Sequence, residues 1–196
     1  MVERQLRGRG IEDERVLAAM AEVPRERFLP PESQDEAYRD GAVAIGEGQT
    51  ISQPWIVACM TALLGLGGHE RVLEVGTGSG YGAAVMSRCC AEVVTIERHA
   101  ALAQRAAAVL QELGYVNVEV RTGDGTLGAP DRAPFGGALV TAVADERPPA
   151  AVAGQLEPGA ALVCPVRDAD GEHLTVFRGE ERRRVVPVRF VPLVRG

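Results

Sequence analysis

The sequence contains no lysine and few aromatic residues, and both shortages limit the partners that it can have. All 21 basic residues are arginine, 27 residues are acidic, and the net charge is −6. Aromatic residues make up only 4% of the chain, and no basic stripe with interleaved aromatics runs along it. Because binding to a phosphate backbone needs clustered positive charge, we do not expect nucleic acid as a partner.

Cysteine is also scarce, and long apolar stretches are missing. The four cysteines, Cys59, Cys89, Cys90 and Cys164, show neither Cys-x-x-Cys nor Cys/His spacing, so we expect no metal site and interpret them as buried free thiols in a reducing cytosol. No stretch approaches the length that crosses a bilayer, and the N-terminus lacks the apolar core of a signal peptide. These absences predict a cytoplasmic protein that does not bind membranes.

The chain has 196 residues, 46% of them hydrophobic, which is enough for one compact domain with a core of its own. We predict a single domain, 1–196, with a helical cap and an active-site loop in 1–66 and a cofactor-binding core in 67–196. In the core, β-rich runs alternate with helical ones. Strands are predicted at 71–75, 92–97, 117–121, 138–141 and 160–166, helices at 81–90, 100–113 and 148–156, and a terminal hairpin at 174–178 and 184–191. The alternation predicts a three-layer α/β fold, a mostly parallel Rossmann-like sheet that ends in an antiparallel C-terminal hairpin.

The most informative segment of the chain is a glycine-rich turn, Gly76-Thr-Gly-Ser-Gly80, that follows the apolar run Val72–Val75. Glycines at such a turn let backbone N–H groups approach a ligand, and a helix begins directly after them. About twenty residues later, Glu97 ends the next predicted strand, where its carboxylate can accept the hydroxyl protons of a ribose. The segment therefore predicts a site for an adenosine-containing cofactor.

The spacing of the glycines narrows the choice of cofactor. A dinucleotide fingerprint has its third glycine three residues after the second, but Tyr81 stands at that position. A nicotinamide oxidoreductase is disfavoured for this reason, and because the chain shows no proton-transfer set such as Tyr/Lys. The spacing Gly-x-Gly-x-Gly after Glu74-Val favours S-adenosylmethionine.

Further ligand contacts are expected where parallel strands end, since ligands of open sheets lie beyond the carboxyl ends of the strands. Asp124, in Gly123-Asp-Gly125, follows the third strand of the core and is suited to accept the adenine amino group. The segment Thr141–Ala144 follows the fourth strand. His99 is close enough to Glu97 to lie near the ribose.

Together with these loops, several short motifs resemble the protein-L-isoaspartate O-methyltransferase family over nearly the whole chain. They are Val23-Pro-Arg-Glu-Arg-Phe28, Gly48-Gln-Thr-Ile-Ser-Gln-Pro54, Leu73–Tyr81, Gly123-Asp-Gly125, Ala133-Pro-Phe135, Val140-Thr-Ala142, Gln155-Leu-Glu-Pro-Gly159 and Phe190-Val-Pro-Leu193. The resemblance implies methylation of L-isoaspartyl residues in damaged proteins or peptides. It also implies that Ser52 is the catalytic residue. Separately, we expect the enzyme to be a monomer. The cofactor-binding residues that we predict are Thr50, Ile51, Glu74, Gly76, Thr77, Gly78, Ser79, Gly80, Glu97, Arg98, Asp124, Gly125 and Thr141.

Three alternatives remain open from the sequence. Ser52 precedes Gln-Pro-Trp and an apolar helical run, so its side chain is also a candidate helix cap. Gly136 replaces an acidic residue that is usual in the family, and the segment after Thr141 departs from the family pattern. These changes leave room for a related enzyme that methylates an aspartyl residue in one dedicated precursor peptide, and for a silent module that only binds carboxylates.

Overall fold

The computed structural model describes residues 1–194, so the last two residues of the predicted 67–196 core lie outside the described part. The strands are β1 Val43–Gly46, β2 Gln49–Ile51, β3 Arg71–Val75, β4 Glu92–Glu97, β5 Val118–Thr122, β6 Phe135–Val140, β7 Ala144–Asp145, β8 Leu156–Asp168, β9 Gly171–Arg178 and β10 Glu181–Pro187. The α-helices are α1 Glu14–Glu22, α2 Pro54–Leu64, α3 Tyr81–Ser87, α4 Ala100–Glu112 and α5 Ala150–Ala153. Short helical turns cover much of the N-terminal region, including Arg25–Phe28 and Pro31–Glu36.

Over residues 1–194 the main sheet has eight strands, in the order β10-β9-β8-β6-β3-β4-β5, with β7 paired to β8. Strands β5, β4, β3, β6 and β8 pair in parallel, whereas β8, β9 and β10 pair antiparallel. The predicted mostly parallel α/β sheet with an antiparallel C-terminal hairpin is confirmed. The antiparallel part is one strand larger than predicted, because β8 pairs with β6 on one side and with β9 on the other.

Strand β3 lies at the centre of this sheet and fixes the position of the glycine turn. Val72, Leu73 and Val75 are buried, which fits a strand covered by helices on both faces. Strand β4 follows on one side of β3 and β6 lies on the other, so the strand order reverses at the end of β3. This is the place where open α/β sheets bind ligands.

Two elements differ from the sequence prediction. The helix predicted over 148–156 is only one turn, Ala150–Ala153, because the chain turns at Gly154 and Leu156 already pairs with Phe135 of β6. The region 1–66, predicted as a helical cap with an active-site loop, also contains a β-hairpin in which Val43 pairs with Ile51. Its turn needs positive φ at Glu47 (53°) and Gly48 (68°), the conformation of a type I′ turn that joins two strands tightly.

All four cysteines are buried free thiols, and their burial raises the pKa of each thiol. Burial raises the pKa of Cys59 and Cys89 to about 11, and of Cys90 and Cys164 to about 12. Across residues 1–194, His, Cys, Asp and Glu side chains form no group that could hold a metal ion. In the same range, no helix is both long and apolar enough to cross a bilayer.

Candidate active site

One cavity of about 1080 Å³ lies over the carboxyl ends of the central strands. Its floor comes from the end of β3 with the glycine turn, from the end of β4 and from the start of the segment after β6. The N-terminal segment Gly48–Gln53 and the C-terminal segment Pro187–Val194 also line the cavity and form its walls. Segments far apart in sequence therefore enclose a single space.

Gly76 shows why the turn after β3 has no side chain. Its φ is +96°, and a Cβ added there would lie 2.1 Å from Thr141 Oγ1. The Thr141 hydroxyl lies between two main-chain carbonyls, 3.0 Å from the Val75 oxygen and 2.8 Å from the Gly76 oxygen. Because its proton is committed to these oxygens, Thr141 holds the turn to β6 and has no proton left to donate to a ligand.

Glu97 joins the end of β4 to the glycine turn. The Gly78 N–H donates to Glu97 Oε2 at 2.8 Å, and the His99 N–H donates to Glu97 Oε1 at 3.0 Å. Each carboxylate oxygen has two lone pairs, so one acceptor position on each oxygen remains after these bonds. The side chain is buried and lines the cavity. It can thus accept two hydroxyl protons of a ribose while it fixes the turn.

A second acid, Glu74, lies beneath the turn with 1% of its surface exposed. Its Oε2 accepts the Thr95 hydroxyl at 2.6 Å, and Thr95 in turn lies 2.6 Å from the Thr77 hydroxyl. Burial, with a further contribution from the nearby charge of Glu97, raises the pKa of Glu74 to about 8 despite the Thr95 bond. With a pKa near 8, Glu74 is largely protonated at neutral pH.

We expect Glu74→Gln to change how stability depends on pH. Glu74 loses its proton near its ordinary value of 4.5 when the chain is unfolded but only near 8 when it is folded. The folded state therefore binds the extra proton, and the free energy of unfolding falls as pH rises from about 5 to 8. Glutamine stays neutral, so the variant should lose this part of the decline. Urea unfolding at pH 5 and at pH 8 measures it.

The matched control is Glu12→Gln, since Glu12 is an exposed acid outside the cavity. This variant should follow the wild-type decline. If Glu74→Gln and Glu12→Gln lose equal stability between pH 5 and pH 8, the elevated pKa of Glu74 is wrong.

Ser52 lies between β2 and α2 and lines the cavity. The alternative that it caps α2 is wrong: Gln53 occupies the N-cap position, and no side chain caps this helix. Within residues 1–194 the Ser52 hydroxyl has no hydrogen-bond partner, although its main-chain carbonyl accepts a bond from Arg25 at 2.8 Å. The hydroxyl is thus available to a ligand.

The structure brings most of the predicted site residues together. Those that line the cavity are Thr50, Ile51, Ser52, Glu74, Gly76, Thr77, Gly78, Ser79, Glu97, Arg98, Gly125 and Thr141. Gly80 and Asp124 do not line it. Gly80 lies behind the turn, where an added Cβ would be 3.2 Å from Ala106 of α4. The Asp124 carboxylate accepts bonds from the Thr126 N–H and hydroxyl at 2.9 and 2.7 Å.

Some lining residues were not among the predicted ligands. They include Asp40, Gln53, His99 and the segment Pro187–Val194. His99, which the sequence places near the ribose, has its Nδ1 3.8 Å from Glu47 Oε2 in the turn of the β1–β2 hairpin. Phe190–Leu193 was part of the resemblance, but only the folded chain brings it to the cavity. It does so through a bridge between Val143 and Pro192.

Gly136 lies away from the cavity, at the amino end of β6. A Cβ there would lie 2.8 Å from Glu70 Cγ, so the Glu70 side chain fills the space that a larger residue would need. The Glu70 carboxylate accepts the N–H groups of Gly67 and Gly68 at 2.7 and 2.9 Å. The missing acid at 136 therefore lies outside the ligand site, beside the Glu70 side chain.

The glycine turn at the reversal point of the strand order, with a buried acid at the end of the adjacent strand, defines an S-adenosylmethionine-dependent methyltransferase. The family model of protein-L-isoaspartate(D-aspartate) O-methyltransferase matches residues 1–196. The chain therefore belongs to the protein-L-isoaspartate O-methyltransferase family.

Individual relatives agree with this assignment. The protein-L-isoaspartate O-methyltransferase of Pelotomaculum thermopropionicum is 52% identical over 99% of this chain and 86% of its own length. That of Roseiflexus sp. is 51% identical over 96% of this chain and 88% of its own.

Solved structures show the same fold. A protein-L-isoaspartate O-methyltransferase with 30% identity aligns over 98% of the chain with a TM-score of 0.86, and this chain spans 65% of that longer protein. A Plasmodium falciparum protein with 22% identity, described as a complex with S-adenosyl-L-homocysteine, aligns over the whole chain with a TM-score of 0.82.

Proposed function

We propose that this protein transfers the methyl group of S-adenosylmethionine to the free α-carboxylate of L-isoaspartyl residues, and that Ser52 positions the carboxylate. Family membership over the full length supports the reaction. The observation that carries the role of Ser52 is its hydroxyl, which lines the same cavity as Glu97 and has no partner within residues 1–194.

The described residues fit the proposed cofactor. Without a Cβ at Gly76, the Thr141 hydroxyl can hold the glycine turn at the floor of the cavity, and Glu97 retains acceptor positions for two ribose hydroxyls. We assign the adenosine end to Gly78, Glu97 and Arg98, and the acceptor side to Thr50–Ser52. Glu74 and Thr77 support the turn from below. When bound, S-adenosylmethionine supplies an electrophilic methyl group on a sulfonium.

The reaction needs no general base. The acceptor carboxyl has an ordinary pKa of about 3.5 and is already ionised at neutral pH. No proton has to be removed to make the nucleophile, so the Ser52 hydroxyl is needed only to place the carboxylate. Ser52 can donate a hydrogen bond to one carboxylate oxygen and aim the other at the methyl group.

Placement and exclusion of water are therefore the main contributions of the protein. Methyl transfer joins a cation and an anion into neutral products, so a drier cavity favours the reaction. Holding oxygen, carbon and sulfur in line turns an encounter into a unimolecular step. Ser52 would place the carboxylate, and the walls at Gly48–Gln53 and Pro187–Val194 would exclude water.

By similarity to the family, the following backbone nitrogen then attacks the carbonyl of the methyl ester on the isoaspartyl residue, and methanol leaves with the amide proton to give a succinimide. Hydrolysis of the succinimide returns part of the material to normal aspartate, so the enzyme only has to form the ester. The substrate must be an exposed, flexible segment that can reach the cavity. We further propose that the protein acts as a monomeric single domain in the cytoplasm.

The test compares an isoaspartyl peptide with its normal aspartyl isomer by measuring S-adenosylhomocysteine formation. In the isoaspartyl form the free carboxylate is attached directly to the chain, whereas in aspartate it is one methylene further away. Because a misplacement of about 1 Å can cost roughly 10²-fold in rate, we expect kcat/KM to favour the isoaspartyl peptide by roughly that factor. Equal turnover, or preference for the aspartyl isomer, contradicts the proposal.

A further inference from the structure

Arg25 is completely buried, with 0% of its surface exposed, and it lies outside the lining of the cavity. Its guanidinium contacts three separate segments. Arg25 Nε donates to the Ala37 carbonyl at 2.7 Å, and Nη2 donates to the Ser52 carbonyl at 2.8 Å. The guanidinium carbon lies 4.8 Å from the centre of the Tyr81 ring. Tyr81 is the first residue of α3, directly after the glycine turn.

Burial of this charge is costly. Burial lowers the pKa of Arg25 to about 10, so the group is still charged at neutral pH. Within residues 1–194 no carboxylate forms an ion pair with it, and its Nη1 is buried without a hydrogen-bond partner. An aliphatic side chain would avoid both penalties. The arrangement therefore indicates a need for the planar fork, which alone reaches both carbonyls at once.

The segments that the Arg25 guanidinium connects explain why an arginine is needed at this position. The guanidinium links the main chain of Ser52 to the helix that begins beside the glycine turn, and these are the acceptor and cofactor sides of the cavity. We propose that Arg25 is a positioning residue, which holds Ser52 in register with the cofactor through the Ser52 carbonyl. This inference rests on the proposed role of Ser52 and adds a second residue to it.

The experiment uses Arg25→Lys and Arg25→Gln in the full chain. Lysine keeps the charge and glutamine removes it, but each carries its donors on a single nitrogen, whereas Arg25 reaches Ala37 and Ser52 with two separate nitrogens. We expect kcat on an isoaspartyl peptide to fall roughly tenfold or more, since small misplacements of a reacting group are costly. The Kd for S-adenosylhomocysteine should change much less, because the glycine turn and Glu97 are untouched.

A double-mutant cycle separates positioning from general destabilisation. If Arg25 acts through Ser52, Arg25→Lys lowers kcat in the wild type but has little further effect when Ser52 is already alanine. The control is Phe28→Leu, in the same helical turn, where the ring lies 5.7 Å from that of Tyr81. This change should lower the Tm but leave kcat near the wild-type value.

A second measurement does not depend on activity. Hydrogen exchange of the amides at 51–57 should be faster in Arg25→Lys and Arg25→Gln than in Phe28→Leu. Wild-type kcat in a folded Arg25 variant, equal losses in both Ser52 backgrounds, or unchanged exchange would each overturn the proposal. Failure of the proposed function is distinct, because then the wild type itself does not methylate the isoaspartyl peptide.

Discussion

Replacing Ser52 by alanine should lower kcat on an isoaspartyl peptide by roughly 10²-fold, while the Kd for S-adenosylhomocysteine stays within about twofold of the wild-type value. The hydroxyl has no partner in the described chain and does not cap α2, so its loss removes no internal bond. The fold should therefore be preserved. Steady-state kinetics and calorimetry with S-adenosylhomocysteine measure the two effects separately.

Ser33→Ala is the matched control for this experiment. Ser33 is also a half-buried serine in the N-terminal region, but it does not line the cavity. Its replacement should leave kcat and ligand affinity unchanged. If Ser52→Ala turns over at the wild-type rate, Ser52 has no part in the mechanism, whatever the affinity measurements show.

Glu97→Gln should weaken binding of S-adenosylhomocysteine by roughly 100-fold, which is about 2.7 kcal/mol and within the range of one or two hydrogen bonds to a charged group. An amide has one accepting oxygen, so its NH₂ must face the N–H of either Gly78 or His99, both of which now donate to the carboxylate. The glycine turn loses an anchor and the ribose loses an acceptor. Calorimetry measures the change in Kd.

The control for this prediction lies at the other end of the same strand. Glu92 forms ion pairs with Arg71 and Arg132, away from the cavity. Glu92→Gln should lower stability but leave the Kd for S-adenosylhomocysteine unchanged. A 2′-deoxyribose analogue of the ligand adds a further check: it should bind the wild type more weakly, but Glu97→Gln should discriminate little against it. Wild-type affinity in Glu97→Gln would exclude the ribose assignment.

The cofactor end of the site could be predicted from the sequence because its parts are local. An apolar strand, a turn that requires Gly76 and an acid at the end of the next strand are all contained in 71–97. The strands predicted at 71–75 and 92–97 have the same bounds in the structure. The central parallel sheet is predictable for the same reason.

The rest of the cavity depends on contacts that no local pattern encodes. The wall at Pro187–Val194 reaches the site through pairing with Val143. The bond between Arg25 and the Ser52 carbonyl spans 27 residues. The predicted helix at 148–156 shows the converse, since pairing of Leu156 with β6 overrides a local helical preference. Long-range pairing therefore explains why the sequence did not predict the C-terminal wall of the cavity. It also explains why the helix predicted over 148–156 is shorter in the structure.

The burial of all four thiols has a consequence for a protein that would handle an alkylating agent. A sulfonium methyl reacts readily with soft nucleophiles, and a thiolate is a stronger one than a carboxylate. None of the cysteines lines the cavity, and each keeps its proton well above neutral pH. Burial thus protects the cysteines of the native protein from methylation by its own cofactor. The rate at which a thiol reagent labels them would report how often the fold opens.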